Sequence, residues 1–415
     1  MEKVCILGMG YIGLPTACMM ANNGFNVLGI DVNDEIINKL SSGQLHIEEP
    51  ELEEIFKKAF NEKKLRVSRQ VEKCDVYIIA VPTPVQKNNK AELKYVAQAA
   101  EMIKDFVSEG SLVILESTSP PGTTRNILGG MITKKTGLVA GKDYSLAFCP
   151  ERVLPGRIIY ELVNNDRVIG GIDEKSASVA KEVYASFVKG SMYLTTLETS
   201  EFVKLAENTY RDINIAFANE IADICEDYKI NVWDVIRFAN MHPRVNILNP
   251  GPGVGGHCIA IDPWFILENI DHKDTLIEKS RNINNARPHV ISKKIINILR
   301  EVKNPKVTIF GITYKENVGD IRESPALEII EELTKKGVNV SVFDPVATNF
   351  KGSLQNLEMS LKDSDLLLLF VGHEQYKSVS LNYIAGLMRD KNIFDTRNFY
   401  NQDEVEKSGL KYFRI

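Results

Sequence analysis

The sequence predicts an α/β protein in three parts: a parallel-sheet domain at 1–195, an all-helical region at 196–300 and a second α/β domain at 301–415. Three observations carry this. Short apolar runs alternate with helical patterns in the first half, as strands buried on both faces require. One long helical pattern takes over from about Ser200. The strand and helix alternation then resumes near residue 300. A chain of 415 residues also exceeds what one core holds, so more than one domain is expected.

Taken in chain order, KVCILG (3–8) reads as a short apolar strand, a helix is predicted from about Tyr11 to Asn23, and FNVLGID (25–31) is a second strand. DVYIIAVPTP (75–84), SLVILES (111–117) and LAFCP (146–150) are later strands, with a helix at 93–107 between two of them. The pattern from about Ser200 to Glu226 predicts one long helix, capped by Thr199 or Ser200, with Glu201 suited to its first turn. NPKVTIFG (304–311), VNVSVFDP (338–345), LLLLFVG (366–372) and NIFDT (392–396) are the strands of the last domain.

Composition excludes several classes. The chain is 44% hydrophobic and 25% charged, with a formal net charge of −5. No basic surface suggests nucleic acid as a partner. No apolar run approaches the length of a membrane span, so no membrane partner is expected. MEKVCILGMG enters a strand pattern without a signal-peptide layout, which points to the cytoplasm. The six cysteines (Cys5, Cys18, Cys74, Cys149, Cys225 and Cys258) are scattered, with no CxxC pair. That argues against disulfides and structural zinc. Five of them lie in strand- or helix-like contexts and are expected to be buried. Cys258 differs, because it stands in GPGVGGHCIAID (251–262), where glycine backbone lets other groups come close.

The first strand runs into Gly8-Met9-Gly10-Tyr11-Ile12-Gly13, which opens a helix, and Asp31 ends the second strand. This is the context that the dinucleotide fingerprint of a Rossmann-type domain requires. Gly8 allows the tight turn, Gly10 lets backbone approach a pyrophosphate at the helix N-terminus, and Gly13 permits close helix–strand packing. Tyr11 and Ile12 complete that loop. Asp31 would accept from the adenosine ribose hydroxyls and repel a 2′-phosphate, so the expected cofactor is NAD rather than NADP. Thr83 and Thr118 follow the third and fourth predicted strands, at the carboxyl ends where ligands bind in such sheets. They read either as contacts to the nicotinamide half or as loop punctuation.

On the long helix Lys204, Asn208 and Arg211 share one polar stripe, by their i, i+4, i+7 spacing. Such a stripe is either a solvated face or a site. Nearby stand Pro150-Glu151-Arg152, His242-Pro243-Arg244 and Cys258. His257 and Cys258 are adjacent and rarely chelate one ion, so no metal is expected. A thiol nucleophile near a lysine is the better reading, since an ammonium favours the thiolate.

These motifs carry a resemblance. GMGYIG, ESTSPPGTT, FCPER, KLAENTYRD, GPGVGGHCIAIDP and ITYKENVGDIRESP occur in the order of the nucleotide-sugar 6-dehydrogenase family, across essentially the whole chain. Within it, HPRVNILNPGPGVGGHCIAIDPWF looks most like the branch acting on UDP-N-acetylmannosamine. The UDP-N-acetylglucosamine branch shares the GGHC core and stands as the alternative, with UDP-glucose further off.

The resemblance implies oxidation of a primary alcohol at C6 to a carboxylate with two NAD in turn. Cys258 holds the aldehyde as a thiohemiacetal and then as a thioester. Lys204 balances the oxyanion, and Asn208 holds the same oxygen or an ordered water. Asp262 orients Lys204 or assists as base, and Glu151 handles the hydrolytic water or contacts the sugar. The family often has a second glutamate four residues after Glu151, where this chain has Pro155, so its duty is unassigned here.

By the same resemblance the last domain holds UDP, with Tyr314 and Lys315 at uracil and phosphate and Arg397 at the diphosphate. Arg322 is implied to reach NAD. Arg152, Arg211, His242, Arg244 and Gly255 are implied on the substrate side, in a homodimer or higher homo-oligomer. Two other classes remain for comparison. One is a two-electron 3-hydroxyacid dehydrogenase, which needs neither a cysteine nor a third domain. The other is a non-catalytic NAD-binding protein.

Overall fold

The computed structural model describes residues 1–256, 258–270, 274–348 and 350–415. It divides into two compact units, Met1–Glu207 with Trp264–Asp271, and Asn208–Pro263 with His272–Ile415.

In the first unit an eight-stranded sheet is seen among the described residues. Its strands are β1 (Lys3–Leu7), β2 (Asn26–Ile30), β3 (Leu65–Ser68), β4 (Val76–Ile79), β5 (Leu112–Leu115), β6 (Ser145–Phe148), β7 (Arg167–Gly171) and β8 (Met192–Thr196). Their order is β3-β2-β1-β4-β5-β6-β7-β8. Alternate residues of β1 feed two cores: Val4 and Ile6 one, Cys5 and Leu7 the other. Side chains that point alternately to opposite faces, both apolar, need cover on both sides, and helices supply it. Each fully buried Val, Ile or Leu contributes roughly 1.5–3 kcal/mol.

The expected all-parallel sheet is corrected in one place. β7 runs antiparallel to β6, with Ala147 opposite Gly171 and Phe148 opposite Gly170. β3, β7 and β8 were not foreseen, because their patterns mix polar and apolar residues: LRVS, RVIGG and MYLTT. Helix α1 (Gly13–Asn22) follows β1, and α2 (Glu174–Tyr184) packs against β7.

The long helix is α3 (Leu197–Tyr228), three residues earlier at its start than predicted. Its capping group is Thr196, whose Oγ1 accepts from Thr199 N–H at 3.3 Å, rather than Thr199 or Ser200. Glu201 serves another helix. Buried, it accepts from Gly122 N–H (2.6 Å), Thr124 N–H (2.8 Å) and the Thr124 hydroxyl (2.6 Å), at the start of the segment Thr124–Gly129.

In the second unit, α4 (Leu276–Ile298) lies in the helical middle, where no strand is seen among the described residues from 197 to 298. A five-stranded parallel sheet follows. It comprises β9 (Lys306–Phe310), β10 (Asn339–Phe343), β11 (Leu366–Leu369), β12 (Asn392–Asp395) and β13 (Lys411–Arg414), ordered β10-β9-β11-β12-β13. β13 was not foreseen, since KYFR is half exposed and polar at both ends. Leu366 and Leu368 face the core shared with α3 and α4, while Leu367 and Leu369 face the other side. α5 (Pro325–Lys335) starts on a Ser324 cap with proline in its first turn, as helix N-termini favour.

Candidate active site

The first unit presents a dinucleotide turn. Gly8 leaves β1 with φ +96°, and a Cβ on Gly13 would lie 1.8 Å from the Gly8 carbonyl oxygen. That approach is open only to glycine. A Cβ on Gly10 would meet nothing within 4 Å, so the loop borders open space. Asp31 ties the end of β2 to this loop, its Oδ2 accepting from Met9 N–H at 2.9 Å and its Oδ1 from Asn33 N–H at 2.9 Å. Tyr11 is exposed and Ile12 half-buried at the helix start. The first turn of α1 carries no acidic residue, so its positive end is undiminished. A bare helix N-terminus, room beside glycine and a carboxylate at the second strand suit the pyrophosphate and ribose of NAD.

The structure brings Thr83 and Thr118 together at the carboxyl ends of β4 and β5, where Thr83 Oγ1 donates to the Thr118 carbonyl at 2.6 Å. Ser117 Oγ donates to the Val81 carbonyl at 2.7 Å and locks the same two loops. Glu151 follows β6 and is half-buried, its side chain 7% exposed. Its Oε2 lies 3.1 Å from the Arg167 guanidinium, and its Oε1 accepts from Arg152 N–H at 2.9 Å. Arg152 pairs with Glu207 at 2.7 Å. Lys204 lies half-buried on α3.

The second unit carries the thiol. Of the six cysteines, five are buried and Cys258 is exposed. The Cys258 carbonyl accepts from Ile261 N–H (3.0 Å) and Asp262 N–H (2.9 Å), a tight turn that binds the cysteine to the following helix start. Asp262 is 2% exposed and its Oδ2 accepts from Asn208 Nδ2 at 2.5 Å. A thiol, a carboxylate and an amide are thereby linked through one turn and one hydrogen bond. Tyr314 walls the glycine loop. A Cβ on Gly255 would lie 2.9 Å from the Tyr314 Cβ, and one on Gly256 would lie 3.0 Å from its ring. Side-chain bulk at either position would push the loop off that ring.

The remaining expected residues also belong to the second unit. Arg211, His242 and Arg244 are exposed. Arg244 N–H donates to His242 Nδ1 at 3.3 Å. Lys315 is half-buried beside Tyr314. Arg322 is exposed and engages Asp320 at 2.6 Å. Arg397 donates from Nε to the Phe370 carbonyl at 2.9 Å, and its Nη1 would lie 2.8 Å from a Cβ on Gly251. His257 lies outside the described residues. Among the described residues no cluster of three His, Cys, Asp or Glu is arranged to hold a metal ion. No helix there is long and apolar enough to cross a membrane.

The sequence reading missed the residues that hold the glycine loop. Gly251 N–H donates to Asn219 Oδ1 at 2.8 Å, and Arg287 Nε donates to the Gly251 carbonyl at 3.2 Å. Arg287 also pairs with Asp223 at 2.7 Å. Arg281 pairs with Asp212, and Asn284 donates to the same carboxylate at 2.8 Å. All of these except Asp223 are buried. A signal was present: polar residues at 281, 284 and 287 recur at helical spacing where an apolar stripe is expected. Burial raises the Asp212 carboxyl above its usual range, against the pull of Arg281 and Asn284.

The fold and this site define a nucleotide-sugar dehydrogenase, and the chain belongs to the UDP-glucose/GDP-mannose dehydrogenase family. Residues 2–188 match its NAD binding domain, 198–286 its central domain and 308–402 its UDP binding domain. The UDP-N-acetyl-D-mannosamine dehydrogenase of Methanococcus vannielii is 46% identical, over 99% of this chain and 96% of its own length. Among solved structures, the UDP-D-ManNAc dehydrogenase of Pyrococcus horikoshii has TM-score 0.94 at 39% identity, covering 100% of this chain and 99% of its own. The UDP-N-acetyl-mannosamine dehydrogenase Cap5O of Staphylococcus aureus has TM-score 0.91 at 42% identity, covering 100% and 98%.

Proposed function

We propose that this chain catalyses the NAD-dependent four-electron oxidation of UDP-N-acetyl-D-mannosamine at C6, giving UDP-N-acetyl-D-mannosaminuronate. The observation that carries the reading is Cys258: the one exposed thiol of six, following a glycine run and with its own carbonyl accepting from Asp262 N–H. The names of close relatives support the sugar.

NAD, held by Gly8, Gly10, Tyr11, Ile12, Gly13, Asp31, Thr83, Thr118 and Arg322, supplies a hydride acceptor for each oxidation. The chain's own groups do the rest. Lys204 balances the alkoxide as the C6 hydroxyl loses its proton. The Cys258 thiolate adds to the aldehyde carbon, forming the C–S bond that keeps the half-oxidised sugar in place. Negative charge on the tetrahedral oxygen meets Lys204 and the second N–H of Asn208, whose amide Asp262 holds. Loss of the second hydride from the tetrahedral carbon leaves the thioester; water then attacks its carbon, the proton of the water passes to Glu151, and the C–S bond breaks with the thiolate leaving.

Tyr314, Lys315 and Arg397 take the UDP moiety. Arg152, Arg211, His242, Arg244 and Gly255 take the sugar and diphosphate side. The domains of this reading are 1–195 for NAD, 196–300 for catalysis and dimerisation, and 301–415 for the UDP-sugar. A cytoplasmic homodimer or higher homo-oligomer is part of it. Tyr210, Phe217 and Ile224 support oligomerisation, standing seven residues apart along α3 and each about half exposed (59%, 48% and 48%).

The test offers UDP-N-acetylmannosamine, UDP-N-acetylglucosamine and UDP-glucose in turn with NAD and counts NADH per sugar consumed. Two NADH with the mannosamine substrate alone is the expected result. Two with the glucosamine epimer alone would reassign the sugar, and one per sugar would overturn the mechanism.

A further inference from the structure

Beneath Glu151 lies a buried polar cluster for which the mechanism above has no use. Continuing the β6–β7 register past Phe148 and Gly170 brings Glu151 opposite Arg167, the first residue of β7. The Arg167 guanidinium stands 3.1 Å from Glu151 Oε2 and 3.7 Å from Cys149 Sγ. It donates to the Leu162 carbonyl at 3.3 Å and lies over the rings of Tyr184 (4.8 Å) and Phe187 (5.7 Å). Tyr184, at the end of α2, donates its hydroxyl to Glu116 Oε1 at 2.6 Å. Glu116 directly follows β5, at the same edge of the sheet. Glu116 and Arg167 are each 3% exposed, and Tyr184 and Cys149 are fully buried. Glu116 Oε2 makes no hydrogen bond within the described residues, and Glu151 Oε2 meets Arg167 as an ion pair without hydrogen-bond alignment.

The charges do not balance if every group ionises. Two carboxylates face one guanidinium, and an uncompensated buried charge is strongly unfavourable. The cluster therefore retains a proton. Cys149 does not supply it, since burial pushes its thiol up to about 11. Burial also carries the Tyr184 phenol well above its ordinary value, so it stays a neutral donor. Arg167 stays charged, because Glu151 and the other groups around it outweigh the effect of burial and hold it above its ordinary value. Burial first, and the charge of Glu151 second, push the Glu116 carboxyl up to about 7, against the pull of Tyr184 and Arg167.

We propose that Glu116 is a positioning residue for the hydrolytic step, keeping the cluster's proton behind Glu151 so that Glu151 meets water as a carboxylate braced by Arg167. This rests on the assignment of Glu151 to the hydrolytic water. When Glu116 ionises, a second buried anion competes for Arg167 and Glu151 loses its brace. Glu116 itself touches no reacting atom. Its influence passes through Arg167 and Glu151.

The experiment is a single turnover of the full chain with UDP-N-acetylmannosamine and NAD across neutral pH. Decay of the Cys258 acyl adduct is followed by intact-protein mass, and the first NADH by absorbance. In the unaltered chain the decay rate should fall about tenfold as pH rises through about 7, where Glu116 loses its proton. Glu116→Gln, which stays neutral and still accepts from Tyr184, should abolish that bend and leave the first NADH untouched. Tyr184→Phe removes a donor that favours the Glu116 anion, so the bend should move up by about one pH unit.

A bend that persists unmoved in Glu116→Gln overturns the proposal, as does a first NADH slowed as much as the decay. Glu151→Gln separates the role of Glu116 from that of Glu151. A long-lived adduct there, with an unmoved bend in Glu116→Gln, removes only the role of Glu116. An adduct of ordinary lifetime in Glu151→Gln removes the Glu151 assignment and the proposal with it.

Discussion

The two sheets of this molecule begin with the same device and then diverge. β1 is followed by Gly8 at φ +96°, and β9 by Gly311 at φ +83°. A Cβ on Gly8 would lie 2.5 Å from the Ala80 carbonyl oxygen, and one on Gly311 would lie 2.9 Å from Val371. In both, the next amide is taken by an aspartate after the second strand of the sheet: Met9 N–H by Asp31 at 2.9 Å, Ile312 N–H by Asp344 at 2.7 Å. From there the paths part. After Gly8 the chain enters α1 within five residues, leaving bare backbone beside open space. After Gly311 it runs through Thr313, Tyr314 and Lys315, and α5 begins only at Pro325. One turn is suited to holding phosphate with backbone, the other to holding a base and phosphate with side chains. The shared strand-turn geometry belongs to the fold, and the ligand is chosen by the residues that come after the glycine.

The heaviest loss should come from a change that leaves both turns alone. Cys258→Ala should keep NAD and UDP binding while acid formation falls by roughly 10⁴-fold or more, read as uronate by chromatography. Loss of binding at either turn would show that the thiol also props the fold.

Gly13→Ala attacks only the first turn. The clash with the Gly8 carbonyl should destabilise the chain by about 3 kcal/mol and abolish measurable NAD binding by calorimetry, with UDP binding retained. Tyr314→Ala attacks only the second. The KM for the nucleotide sugar should rise about tenfold, through loss of an aromatic stack and of the wall behind Gly255 and Gly256, while the KM for NAD stays put. Equal effects of either variant on both ligands would erase the distinction between the turns.

The mildest change concerns the aspartate at the second turn. Burial works against ionisation of Asp344, but His373 and the N–H groups of Ile312 and Val346 outweigh it and hold the carboxyl below its usual range. A carboxyl depressed by folding adds stability that is full above its unfolded value near 4 and fades as pH falls below that. Asp344→Asn should therefore flatten the acid limb of a denaturation curve, by about 1 kcal/mol between neutral pH and pH about 3. An unchanged slope would mean that folding does not depress the Asp344 carboxyl.

How far the sequence could be read follows the same division. GMGYIG and KVTIFG announce their turns because glycine at a strand end has a steric cause visible in the letters. β1, β2, β4, β5 and β6 are continuous apolar runs and were legible. β3, β7, β8 and β13 carry polar residues and were not, since a weakly apolar strand is defined by its neighbours in the sheet rather than by its own pattern. Cys258 stood out by context. Asn219 and Arg287, which anchor its loop, did not, because polar residues on a helix ordinarily mean a solvated face. Glu201 reads as a favourable first-turn acid on α3, yet its partners lie 77 and 79 residues earlier. No local rule reaches that far.

At the heart of the mechanism, one sulfur carries the half-oxidised sugar between the two oxidations. Rapid quenching of Glu151→Gln during turnover with UDP-N-acetylmannosamine and NAD, followed by peptide mass analysis, is the sharpest check. The peptide containing Cys258 should carry the mass of the sugar acyl group. Uronate accumulating while that peptide stays unmodified at every quench time would rule that role out.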